Sequence, residues 1–244
     1  NPITMVDASP GEFSISFPRY AGKRDRLYQR FHLALIQEGG EAVACSGVSY
    51  VTEITASLED YAYPSSKTIK GLQVHMIEDA LRLGVGHAAL NLNQGTIMRP
   101  GPAADHISFE MDGDLYYFDR AYLEKFDQRV KTLSDHGIVV SLILLNAINW
   151  DGIKIDPALH DTLVHPGYTP EGEFVAISAF NLTGEDGLRH YKAFIEFVAG
   201  RYTRPDQAYG RACGFIIGNE VDIQWMWGNA GEMPVARYVR EYSL

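Results

Sequence analysis

A chain of 244 residues suffices for one large domain or two small ones, and 46 % hydrophobic with 21 % charged residues excludes a disordered polymer. The formal charge of −10 opposes recognition of nucleic acid or an anionic membrane, which depends on clustered Lys and Arg. The richest basic stretch, Lys23-Arg24-Asp25-Arg26, is broken by an acid. No apolar stretch approaches the roughly 20 residues of a membrane span, so neither nucleic acid nor membrane is expected as a partner.

In chain order, residues 1–48 read as a β-rich accessory region. Phe13, Ile15 and Phe17 alternate with polar residues, Phe31 to Ile36 follows a charged turn, and Gly39-Gly40 ends that run. Gly47 to Ile54 reads as a further strand. Cys45 and Cys213 are read as free thiols, and Cys213 as a buried one.

Beyond that region, helical and strand periods alternate. Val74, Ile77, Ala80 and Leu81 share one helix face, Gly84 and Gly86 stop the helix, and His87 to Asn93 reads as a strand. Ile107 to Met111, Asp112-Gly113 and Asp114 to Phe118 spell a hairpin. Leu123, Phe126, Val130 and Leu133 stripe a second helix, Gly137 ends it, and Ile138 to Leu145 is a nearly continuous apolar strand. A third stripe, Leu188, Tyr191, Ile195, Val198 and Tyr202, precedes the strand Gly214 to Ile217. Such alternation predicts βαβ construction with buried parallel strands.

Every core strand ends in polar groups on its C-terminal side: Asn91 to Gln94, Asn146 to Trp150, and Asn219 to Asp222. Parallel α/β folds bind ligands at that edge. A carboxylate set directly after a buried run, as Glu220 is, seldom lacks a function or a partner, because burying an unpaired acid is costly. Fourteen Tyr, eleven Phe and three Trp supply flat faces for uncharged rings such as sugars.

Gly218-Asn219-Glu220 after a buried strand resembles the fourth-strand signature of the clan A retaining glycoside hydrolases, which are (β/α)8 TIM barrels. Lys70 to Gln73 through Ala88 to Asn91 is also similar to a poorly characterised bacterial barrel family thought to belong to that clan. The resemblance implies an α/β fold, with residues 49–244 as the first half of a barrel, Tyr50 to Ile54 as strand one and Gly214 to Gly218 as strand four. It implies a glycosidase that degrades polysaccharide or oligosaccharide by retaining double displacement, with no cofactor. Glu220 becomes the general acid/base and Asn219 the partner of the sugar 2-hydroxyl. Asn93, Asn146, Trp150, Trp225, Trp227 and His165 become substrate-binding residues.

The clan's nucleophile is a Glu at the end of strand seven, which this chain does not reach. A missing C-terminal half or a second chain is therefore expected to complete the barrel, and the chain alone is expected to be inactive. The start at Asn-Pro without a leader suggests a processed protein that is secreted or periplasmic.

Several other readings stand beside this one. A degenerate barrel could bind carbohydrate without catalysis. Asp222, Asp151 or Asp156 could serve as the base of an inverting pair. His160, His165 and His190 with Asp161 could form a metal-dependent hydrolase, although no ligand spacing fixes two of them on one element, and no metal is expected. Asp112-Gly113-Asp114 lacks the spacing of a calcium loop, and Gly84 to Ala89 has the wrong context for a dinucleotide site.

Overall fold

A computed structural model describes residues 3–5, 14–22, 24–26, 29–37, 39–51, 64–150, 152–171 and 175–242. The chain divides into two units, Asn1–Asp60 and Tyr61–Leu244.

In the first unit β1 (Tyr20–Ala21) pairs antiparallel with β2 (Arg24–Asp25) across Gly22, whose φ of 63° is cheap only for glycine. β3 (Ala34–Ile36) pairs with β4 (Ala42–Ala44) across the expected Gly39-Gly40 turn, and Phe31 bridges Ser49. Ile15 and Phe17 lie in no strand. Phe13 and residues 52–54 fall outside the described residues. None of the described residues of this unit is buried, so its pairing is local and shields little apolar area.

The second unit runs β5 (Gly71–Gln73), α1 (Ile77–Arg82), β6 (His87–Asn93), α2 (Gln94–Ile97), β7 (Met98–Arg99), β8 (His106–Met111), β9 (Asp114–Asp119) and α3 (Arg120–Asp135). It continues through β10 (Val139–Ala147), β11 (Asn149–Trp150), β12 (Ile153–Lys154), a 3-10 turn at Pro157–Leu159, α4 (His160–Leu163) and β13 (Ile177–Ser178). It closes with α5 (Glu185–Tyr202), β14 (Gly214–Ile217) and α6 (Val235–Tyr242).

β5, β6, β10 and β14 are parallel neighbours in that order, and β13 joins the end of β10 antiparallel. Along β10 the side chains alternate: Val140, Leu142 and Leu144 meet the large core built with α3 and α5, while Ile143 and Leu145 join Ile177 in a smaller cluster on the other face. Burial on both faces explains why this strand reads as a continuous apolar run.

The expected half of a TIM barrel is not what forms. The architecture is mixed α/β: one sheet that is itself mixed, and several small sheets of two or three strands. Between β6 and α3 lies an antiparallel sheet ordered β7-β9-β8, where a barrel needs only a helix. The parallel neighbours of β6 are β5 and β10, and most of the expected first strand, residues 52–54, lies outside the described residues. Alternating periodicity is a local signal, whereas barrel closure depends on strand number and stagger around the whole sheet, which periodicity does not encode.

Two features hold the second unit together. Asp119 caps α3, its Oδ1 accepting from the Tyr122 backbone N–H at 2.7 Å while its Oδ2 accepts from Arg99 Nη2 at 2.6 Å. Between α3 and α5, buried Asp127 accepts from Arg201 Nε at 2.8 Å, Arg201 Nη2 at 2.6 Å and the Tyr202 hydroxyl at 2.9 Å. No helix among the described residues is long and apolar enough to cross a membrane.

Candidate functional site

The C-terminal ends of β10 and β14 open onto a concavity of about 320 Å³, counted out to its mouth. Asn146, Ser178, Asn219, Trp227, Tyr238 and Tyr242 supply its polar and aromatic lining. Chain geometry explains why β14 ends there. Gly218 has φ 76°, a left-handed turn, and a Cβ at that position would strike the Tyr242 hydroxyl and Val221 Cγ1. The apolar strand thus turns outward at the one residue that lets a phenol from α6 approach its backbone.

Two residues later Glu220 is exposed, also left-handed with φ 48°. A non-glycine residue there is uncommon and costs on the order of 1–3 kcal/mol unless its surroundings enforce it. Glu220 does not line the concavity, although its chain neighbours Gly218, Asn219 and Val221 do.

Inside, Asn146 is 1 % exposed and its Nδ2 donates to the Leu163 carbonyl at 2.6 Å. Its Oδ1 is buried without a partner, and so is the Tyr238 hydroxyl. Burial pushes the Tyr238 phenol up to about 12, with the Asp222 carboxylate adding to the effect. Burial likewise raises Tyr242. Both phenols therefore stay neutral near pH 7. Unpartnered buried polar atoms are rare in folded chains, and both of these belong to residues that line the concavity.

The remaining expected residues divide. Trp227 lines the concavity and packs on the Ile143, Leu145 and Ile177 cluster, whereas Trp225 is 52 % exposed and does not line it. Asn93 is buried with both ends of its amide unpartnered, yet it lines neither concavity. Trp150 lines a second concavity, of about 480 Å³, beyond β5 and β6.

His165 is 3 % exposed and faces α6 instead. Its Nδ1 accepts from the Gly167 backbone N–H at 3.0 Å, which leaves Nε2 to donate to Glu241 Oε2 at 3.3 Å. Burial lowers its pKa and the Glu241 carboxylate partly opposes that. Ser178, Tyr238 and Tyr242 went unread in the sequence because none sits at the end of an apolar run. The i, i+4 spacing of the two tyrosines was the available signal.

Other candidates are occupied elsewhere. Asp156 Oδ1 accepts from the Ala158 backbone N–H at 2.9 Å, capping the 3-10 turn, and Asp151 lies outside the described residues. His160 pairs with Asp161 at 3.0 Å, while His190 Nδ1 bonds the Asp186 carbonyl at 2.8 Å. Among the described residues no three His, Cys, Asp or Glu side chains gather as a metal site would require. Cys45 is exposed and Cys213 half-buried, both as free thiols, and burial raises the Cys213 pKa. Asn181, in the triplet Asn181-Leu182-Thr183, donates its amide to the Thr162 carbonyl at 3.1 Å.

Neither the curated proteins nor the solved structures contain a match to this chain. Residues 62–244, nearly all of the second unit, match a family described only as of unknown function, DUF5722, and the chain belongs to that family.

Proposed function

We propose that this protein is an O-glycoside hydrolase in which Glu220 donates a proton to the departing sugar oxygen and Asn219 bonds the hydroxyl beside the scissile bond. The observation that carries the reading is Glu220 itself. It is an exposed residue held in a left-handed turn where a parallel strand ends, next in the chain to residues that line a concavity with amides, phenols and an indole.

Each lining group suits a sugar. Asn219 can donate to a hydroxyl without adding charge, and that bond strengthens as positive charge develops on the ring. Asn146 Oδ1 and the Tyr238 hydroxyl, buried and without partners among the described residues, would offer further hydroxyls an acceptor and a donor once a small side-chain movement exposed them. Trp227 offers a face to sugar C–H groups. The likeness of Gly218-Asn219-Glu220 to clan A supports a retaining outcome, which needs a second carboxylate about 5–5.5 Å from the first.

The test compares wild type and Glu220→Gln on aryl glycosides of graded leaving-group ability. With poor leaving groups the variant is expected to lose about 10²–10⁴-fold in rate, and with activated ones, which depart without a proton, far less. Equal rates for both proteins on the poor leaving groups would remove Glu220 from the chemistry.

One observation favours a second reading. Among the described residues lining the concavity there is no Asp or Glu, so a carbohydrate-binding protein without turnover also fits. Binding of an oligosaccharide that no substrate panel sees hydrolysed would decide for it.

A further inference from the structure

The second concavity lies beyond the ends of β5 and β6, walled by α3 and the β11–β12 hairpin. Arg129 of α3 is half-buried there. Its Nη2 donates to the Val74 carbonyl at 2.7 Å, and its guanidinium carbon lies 5.9 Å from the Phe126 ring centre.

Among the other arginines withdrawn from solvent, Arg99 meets Asp119 and Arg201 meets Asp127, both at 2.6 Å, while Arg211 donates to the Thr203 carbonyl at 2.9 Å. Arg129 has no carboxylate within 4.0 Å among the described residues. Among the described residues lining this concavity none is acidic, in a chain with 31 Asp and Glu against 21 Lys and Arg. A partly desolvated guanidinium that keeps spare donors offers an incoming anion a charge-assisted hydrogen bond.

The rest of the lining says which kind of anion. Trp150 presents an indole, and Gln73 Nε2 donates to Asn91 Oδ1 at 2.8 Å, which fixes the two amides in place. His75 adds a further nitrogen donor. An aromatic face, fixed amides and a planar fork together match a ring that carries hydroxyls and one carboxylate.

The site also adjoins the first concavity. Trp150 packs against the same Ile143, Leu145 and Ile177 cluster as Trp227. β10 separates β6 from β14, so the two strands stand about 10 Å apart at the usual spacing.

We infer that this second concavity is a subsite for a uronic acid unit of an acidic polysaccharide, with Arg129 pairing its carboxylate and Trp150 stacking on its ring. The inference rests on the proposed action at a sugar and specifies the class of sugar.

The test is calorimetric titration of the intact protein with galacturonate, glucuronate and mannuronate trisaccharides, each beside its methyl-esterified form. At low salt at least one acid form is expected to bind tenfold or more tightly than its ester. Arg129→Gln should erase that preference, Arg129→Lys should keep part of it, and Trp150→Ala should weaken acid and ester alike. Circular dichroism verifies that each variant folds, since Arg129 also holds the Val74 carbonyl.

Equal binding of acid and ester, binding of no uronate, or a preference that survives Arg129→Gln would each overturn the inference. So would competition by inorganic sulfate with tighter binding of a sulfated trisaccharide. Titrations run on Glu220→Gln separate the two readings. A uronate preference in a variant that still hydrolyses glycosides at full rate sinks the hydrolase assignment of Glu220 alone, whereas lost hydrolysis without the preference sinks the subsite alone.

Discussion

Glu220 combines two properties that stability alone does not select: exposure and a left-handed backbone. Asparagine tolerates that conformation better than glutamate, its short amide bonding locally. Glu220→Asn should therefore raise the urea midpoint, through a gain of up to about 1 kcal/mol in unfolding free energy, while abolishing turnover of poor leaving groups. An unchanged or lower midpoint would show that the turn carries no strain. Glu220 and Asn219 were legible in the sequence because an apolar run ending in an amide and an acid is a short-range pattern. His165 was not. Its partner Glu241 lies 76 positions away, and the residues around His165 do not foretell that α6 will cover it.

At the scale of elements, α3 and α5 are joined by the buried Asp127, Arg201 and Tyr202 group. Removing one member leaves the other charge buried and unpaired, which costs about 3–5 kcal/mol. Asp127→Ala should lower the unfolding free energy from urea titration by that amount, and an effect below about 1 kcal/mol would mean that solvent reaches Arg201. The hairpin of β8 and β9 was readable at its turn: Asp112 and Gly113 have φ 54° and 92°, the pair of positive angles a two-residue hairpin loop demands. β5 was harder to read, being three residues long with too few positions to show a period. The pairing of β13 with β10 is likewise invisible locally, since two residues carry no strand pattern.

For the molecule as a whole, acid sensitivity follows from the clasp between His165 and α6. His165 is held neutral, with its pKa below the ordinary 6.5, so the unfolded chain takes up the proton first. Its effect on stability is absent above that pH, and stability falls as pH drops below 6.5. Glu241 is held below its ordinary 4.5, chiefly by its bond from Arg237, with His165 adding. Its contribution is present above 4.5 and is lost as pH falls through the lowered folded value. Thermal unfolding across this range should show a decline that begins below 6.5 and steepens below 4.5. His165→Gln keeps a donor for Glu241 and should remove the first part of the decline while leaving the second. A decline that persists unchanged near 6.5 would assign it to another group.

By itself the sequence determined the helices α3 and α5, the strands β6, β10 and β14, and the polar residues that follow them. Each of these is encoded within a dozen neighbouring positions by the period of side chains along a helix or strand. The buried run expected at β14 did not form, since Ile216 and Ile217 are exposed. Only the tertiary structure decided that the strands join a mixed sheet and not half a barrel, that Tyr238 and Tyr242 face Asn146 and Asn219, and that Arg129 turns a concavity cationic. Those outcomes depend on which elements meet across long stretches of chain, and periodicity specifies the face an element buries but not the partner that covers it.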